Sequence, residues 1–216
     1  MSARAPRRLS PWRRLAALLL DYLVIFAWMT VLAVASLAVN LTMGDSPDVL
    51  GAVGPFGAQA VFSTLLTLPV GLYLYLNESG PAQATWGKRR MGLVVRSYDG
   101  ARPGRGQIAI RTVVKLLPWE ISHTLIWQMQ AVFHRSGYEA EIPTWIFVGL
   151  GAVDIAILVY LGTSLFGRQL GPHDRASRTI VGDSSSVDLE DPVGDLCQHI
   201  MIRGANPSRA ARAAGR

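Results

Sequence analysis

Apolar residues in this chain come in long runs rather than at helix or strand period, and the polar residues collect between the runs. Residues 15–41 form the first run, broken by a single charge, Asp21. At about 1.5 Å per residue this is roughly 40 Å of helix, more than the ~30 Å hydrocarbon core of a bilayer requires. Residues 56–76 form a second run, and Pro69 inside it predicts a kink. Residues 144–166 form the clearest late run, with Asp154 near its middle. The stretch 108–133 is less plain. It is apolar but carries Arg111, Lys115, Glu120 and His123, with Pro118 between them. It reads either as one kinked span or as a surface segment over 107–117 followed by a span. A span over 115–133 is preferred.

The pattern therefore predicts an all-α membrane bundle of about four transmembrane helices, over about 15–41, 56–76, 115–133 and 144–166. A cleaved signal competes for the first run, since Ala33-Val34-Ala35 resembles a cleavage site and Arg13-Arg14 a twin-arginine signal. The run is too long for that, because a signal's apolar region spans about 7–15 residues. Residues 44–55 read as a Gly/Pro/Asp loop and 77–107 as a polar loop. Within the latter, 91–98 and the turn-like Asp99-Gly100 predict a short hairpin. Low hydrophobicity marks 184–216 as a disordered tail. The organisation is then a basic N-terminus over 1–14, a membrane domain over 15–183 and a tail over 184–216.

Charge adds a direction. Only 17% of the residues are charged, and the formal net charge is +6. The segment 1–14 holds five Lys/Arg, 41–55 none, 77–107 six, 134–143 one and 167–183 three. By the positive-inside rule this alternation puts both termini and the central loop in the cytoplasm. It requires an even number of crossings, which favours four spans over three. Because the basic residues flank apolar runs, the expected partner is the lipid bilayer and no nucleic acid. Lys88, Arg89 and Arg90 are candidates to hold anionic lipid headgroups, each worth about 1 kcal/mol. Cys197 is the sole cysteine, and His134 and His199 lack partners at ligand spacing, so neither a disulfide, a metal nor a cofactor is expected.

The candidate chemistry lies inside the runs. Asp21 follows Arg14 by seven residues, about 20° away on the helical wheel and about 10.5 Å along the axis. Direct pairing is poor, so Lys115 or Arg111 on another helix is the expected partner. Asp21 is then either a cation or proton site or half of a structural ion pair. Asp154 is either a proton relay or a neutral, hydrogen-bonded acid. Glu120, His123, Trp127 and Gln130 fall at i, i+3, i+7 and i+10, on one polar stripe. The stripe lines a wet pathway with Asp21 and Asp154, or is the polar side of an amphipathic helix. No catalytic set is found: Gly87-Lys88 lacks the spacing of a phosphate loop, and His173-Asp174-Arg175 comes without a nucleophile motif.

Three segments carry a family resemblance. Trp12-Arg13-Arg14-Leu15-Ala16-Ala17, leading to Asp21, resembles the opening of the RDD family of membrane proteins. Gly87-Lys88-Arg89-Arg90-Met91-Gly92-Leu93-Val94-Val95 resembles its central G-K-x-x-x-G-L-x-V segment, and His173-Asp174-Arg175-Ala176-Ser177-Arg178-Thr179-Ile180-Val181 its closing stretch. The family's named residues map onto Arg14 (Arg13 as alternative), Asp21 and Asp174. Ser177-Arg178-Thr179 departs from the usual small A-G-T-like step. The resemblance implies a bacterial inner-membrane protein. For the family, transport of unidentified ligands has been suggested, including sodium/proton exchange for some members. Two readings follow. The first is transport of an ion or small ligand through an intramembrane carboxylate site of Asp21, Lys115, Glu120, His123 and Asp154, at a homo-oligomer interface because four helices make a thin bundle. The second is a non-transporting membrane scaffold or assembly factor. An enzyme is not expected.

Overall fold

A computed structural model describes residues 9–44, 48–166 and 169–186. Cys197, His199, Arg168 and most of the expected tail lie outside the described residues. The first helix, α1, spans Pro11–Met43. Pro11 stands at its first position, where the missing N–H costs nothing, and Gly44 closes it at φ 80 with its N–H bonded to Asn40 O. Arg13 and Arg14 therefore lie inside the helix rather than in a segment before it.

The loop expected over 44–55 is shorter. Asp48 caps the next helix by accepting from Gly51 N at 2.8 Å, and α2 runs over Val49–Phe62. It is broken by a kink at Gly54, whose φ 69 and ψ 179 are non-helical, so Pro55 starts the second piece, where its missing N–H costs nothing. A π turn over Ser63–Thr67 joins α2 to α3, Leu68–Ser79. The polar loop expected over 77–107 is largely structured: α3 reaches Ser79, α4 covers Trp86–Arg90 and β1 covers Leu93–Ser97. The turn at Asp99-Gly100 forms, with Gly100 N bonded to Ser97 O, but no hairpin does. Residues 101–105 (Ala-Arg-Pro-Gly-Arg) offer no alternating apolar face to pair with. Instead β1 pairs antiparallel with β2, Thr179–Asp183, with Val95 opposite Val181.

Between the strands lie α5, Arg105–Ser136, α6, Thr144–Leu165, and α7, Pro172–Ser177. α5 is one continuous helix, so no boundary falls at Lys115. Three of the long helical segments, Pro11–Met43, Val49–Ser79 and Thr144–Leu165, are long and apolar enough to cross a membrane. α5 matches them in length but carries Arg111, Lys115 and Glu120 in one half. The four rods alternate in direction. Arg13 and Arg14 near the start of α1, Glu78 near the end of α3, Arg111 near the start of α5 and Ser164 near the end of α6 all touch α4, α7, the sheet or one another. At the opposite end, Asp48 beside α2 faces His134 of α5 at 3.6 Å. α5 and α6 share a seam of Leu125, Ile146 and Val153, and Gly149 leaves the space that Leu125 fills.

Pro69 and Pro118 each free a backbone carbonyl, and both carbonyls find the same kind of substitute. Pro69 cannot donate to Leu65 O, which instead accepts from Trp28 Nε1 of α1 at 3.0 Å. Pro118 cannot donate to Val114 O, which accepts from Tyr160 Oη of α6 at 3.2 Å. With no water in the hydrocarbon, such neighbours supply the lost partner. Tyr160→Phe should therefore cost about 1 kcal/mol of stability in detergent, and about none in a Pro118→Ala background, where the backbone N–H returns. A double-mutant cycle of unfolding midpoints checks this; equal losses in both backgrounds would refute it.

Candidate functional site

The sheet, α4 and α7 stand where the rod ends meet, and they gather most of the charged residues of the membrane domain. Asp21 is buried on α1 and accepts three hydrogen bonds, from Tyr73 Oη at 2.7 Å, Thr85 Oγ1 at 2.5 Å and Gly87 N at 2.9 Å. All three donors are neutral. The expected pairing with Lys115 or Arg111 does not occur, because the orphan N–H of the first turn of α4 and two hydroxyls already fill the carboxylate. Gly87 is needed for this approach: a Cβ there would sit 2.1 Å from Ala17 O and 3.0 Å from Asp21 N.

The cations go elsewhere. Arg14 NH1 donates to Ser164 O at 3.0 Å and Gln169 O at 2.8 Å, and NH2 to Val181 O at 2.8 Å. It clasps backbone from α6, β2 and the segment between α6 and α7, and among the described residues it pairs with no carboxylate. Arg13 reaches Met91 O and Asp183 Oδ2, the latter at 2.6 Å. That hydrogen bond, with those from Ser185, holds the Asp183 carboxyl down at about 2. Glu78, fully buried, accepts from Lys88, from Arg111 Nε at 2.9 Å and from Lys115 Nζ at 3.0 Å. Arg111, itself 1% exposed, also donates to Asp174 and to Thr179 Oγ1. Asp174 in turn accepts from Gly171 N at 2.9 Å and so caps α7. Burial opposes its ionisation, but Arg111 beside it outweighs that and holds its carboxyl low. Burial first, and Arg111 second, push the neighbouring His173 imidazole down to about 3, so it is neutral.

The expected five-residue site is not one site. Asp21 and Lys115 lie near the charged end, in separate networks. Glu120 sits further along α5 and accepts from Ser63 Oγ at 2.7 Å and from Thr67 Oγ1, both on the π turn. Gln59 Nε2 bonds Thr124 Oγ1 at 2.8 Å beside it. His123 packs edge-on against Trp119, with ring centres 4.8 Å apart, and Trp127 against Phe62. Asp154 is exposed and has no hydrogen bond or ion pair among the described residues. The reason is angular: Val153 faces the α5 seam, and the next residue points about 100° away. Of the proposed headgroup contacts, Lys88 is engaged by Glu78, whereas Arg89 and Arg90 remain exposed, Arg89 near Asn77 and Arg90 over the Trp86 ring. A cavity of about 350 Å³ runs among the rods, apolar along most of its wall and charged where Arg14, Asp21, Lys88, Arg111, Lys115 and Asp174 line it. Among the described residues no cluster of His, Cys, Asp and Glu is placed to hold a metal.

Glu78 falls within the stretch that the sequence pattern assigns to a loop, and the structure places it at the end of α3. The available signal was its spacing: Leu74 and Glu78 are four apart, on one buried face of α3. The odd Ser177-Arg178-Thr179 step has a local cause. Arg178 closes α7 at φ 51, the left-handed position glycine favours, while Ser177 is buried with Oγ donating to His173 O.

Gly87→Ala should destabilise the fold by about 1–3 kcal/mol, because backbone rather than a flexible side chain is in the way; the unfolding midpoint in detergent measures it. Stability should also depend on pH through His173. Its folded value lies below the ordinary 6.5, so the unfolded chain takes up a proton that the folded chain refuses. The contribution is complete above about pH 6.5 and declines as pH falls toward 3, by about 2 kcal/mol at pH 5. His173→Gln should flatten the profile between pH 7.5 and 5; an unchanged slope would contradict this origin.

The three convergent segments are those that carried the resemblance: the opening of α1, the α4–β1 stretch and the α7–β2 stretch. A family model described as the RDD family matches residues 8–178. No curated protein and no solved structure matches the chain. RDD proteins are membrane proteins, in keeping with the three helices that can span a bilayer. The chain belongs to the RDD family.

Proposed function

We propose that this RDD-family membrane protein moves a small ion through the carboxylate of Glu120, in a bacterial inner membrane and with its basic ends facing the cytoplasm. One observation carries the reading: a carboxylate on α5 meets two hydroxyls, Ser63 and Thr67, on a π turn of the opposing rod. Ionisable groups inside membrane rods that face a neighbouring helix mark ion or proton paths by default. π turns recur at functional positions, where an irregular backbone re-aims side chains. Hydroxyl and carboxylate oxygens suit a hard cation or a proton. Glu120 is partly exposed, whereas Asp21 is saturated with donors and Asp154 points outward.

A scaffold reading has its own support. The residues of the family motif are consumed in internal contacts, and Arg89 and Arg90, though they touch Asn77 and Trp86, are exposed where they can meet lipid headgroups or a cytoplasmic partner. Ion flux in reconstituted liposomes separates the two. The native chain should carry flux of sodium, potassium or protons above protein-free liposomes. Glu120→Gln should lower it at least about tenfold, and Ser63→Ala with Thr67→Ala about threefold, with melting midpoints retained. Native flux equal to that of empty liposomes for all three ions would leave the scaffold reading standing.

A further inference from the structure

The cavity at the charged end reaches Thr67, one of the two hydroxyls that donate to Glu120, but is not lined by Glu120 itself, and its lining is asymmetric. Toward the middle of the rods it is walled by Leu66, Val70, Leu116, Ile157 and Leu161. At the other end four cations, Arg14, Lys88, Arg111 and Lys115, face three carboxylates, Asp21, Asp174 and the adjoining Glu78, which leaves one positive charge in excess. The carboxylates are already occupied: Asp21 by neutral donors, Glu78 by three cations, Asp174 by Arg111 and Gly171 N. Arg14 and Arg111 are engaged as well, by three carbonyls and by two carboxylates with Thr179, but the two lysines keep donors in reserve. Each lysine ammonium has three donors, and Lys88 and Lys115 spend one each on Glu78.

Unpartnered polar atoms point the same way. Arg14 Nε, Ser164 Oγ and His173 Nδ1 are buried without a hydrogen-bond partner among the described residues, and all three residues line this cavity. Buried polar atoms left in this state call for a ligand or ordered water. The cavity adjoins a groove on its lipid side. Tyr22, Ile25 and Trp119 line both it and an apolar groove of about 590 Å³ on α1, formed with Leu19, Leu23, Phe26 and Met29. Leu19, Leu23, Phe26 and Met29 are exposed on a helix that can span the bilayer, so the groove opens to lipid.

We infer that the cavity takes the anionic headgroup of a phospholipid that enters sideways from the bilayer, its phosphate at Lys115 and Ser164 and an acyl chain lying in the α1 groove. A volume of about 350 Å³ is in the range of ligand pockets, and a positive excess walled by hydrocarbon matches an anionic head with an apolar tail. This binding stands whether or not Glu120 conducts an ion.

The test uses the full chain, purified and stripped of lipid in a non-ionic detergent. Its melting midpoint is followed against added short-chain phosphatidylglycerol, phosphatidylcholine with the same chains, and glycerol phosphate. Phosphatidylglycerol should raise the midpoint saturably, phosphatidylcholine should not, and glycerol phosphate should give less than half the rise. Lys115→Gln should weaken the apparent affinity for phosphatidylglycerol about fivefold, one basic contact's share. Val70→Phe, which fills the apolar limb, and Ser164→Ala, which is outside the ion cluster, should also weaken it; they decide the matter if Lys115→Gln does not fold. Equal rises with both lipids, a full rise with glycerol phosphate, or unaltered affinity in folded Val70→Phe and Ser164→Ala would each overturn the inference.

Discussion

Glu78 is the residue on which the assembly of this membrane domain depends. A carboxylate with no exposed surface cannot stay charged without partners, and it draws in Lys88 from α4 and Arg111 and Lys115 from α5. Arg111 then extends the chain of charges to Asp174 on α7 and to Thr179 on β2. One buried anion thereby fixes the relative positions of two long rods, two short helices and a strand. Apolar packing could not do the same, since lipid tails are as apolar as leucine and give helices little reason to prefer one another.

A second economy shows in the backbone. Within a bilayer every carbonyl needs a donor, and a proline takes one away. Trp28 and Tyr160 each bring a ring N–H or hydroxyl from a different rod to the orphaned carbonyl. The prolines thus create contacts between helices at the places where they break contacts within one. Trp28 links α1 to the rod of α2 and α3, and Tyr160 links α6 to α5. Arg14 follows the same logic at the rod ends, where its guanidinium gathers three carbonyls that regular structure leaves spare.

The apolar runs made the rods legible, and the three short motifs identified the family, because both are written in adjacent residues. What stayed hidden was pairing across distance. The valines at 94 and 95 read as a strand, yet nothing nearby says that their partners lie at 181 and 182. Asp21 read as a charge in search of a cation because burial of an acid is costly. The sequence does not reveal that hydroxyls and a helix N-terminus would converge on it. Asp154 and Val153 are neighbours in sequence but point about 100° apart around the helix, so the seam with α5 had to be seen before Asp154 could be placed. Glu78 was hidden by its company, two residues from a Gly-Pro that reads as loop.

The pairing of β1 with β2 bears on how the chain is made. Val95 and Val181 are opposite one another in the sheet, with α5, α6 and α7 between them in sequence. Arg14, near the start, closes on Ser164, Gln169 and Val181, near the end of the described chain. During synthesis the first strand therefore waits with an open edge until the last helices have been inserted. The polar end is completed as a final step, and a ribosome that stalls before residue 179 leaves a set of membrane helices with their charges collected but no latch. Quality control that recognises unpaired strand edges and uncapped basic ends would have one place to look, and a single late event to wait for.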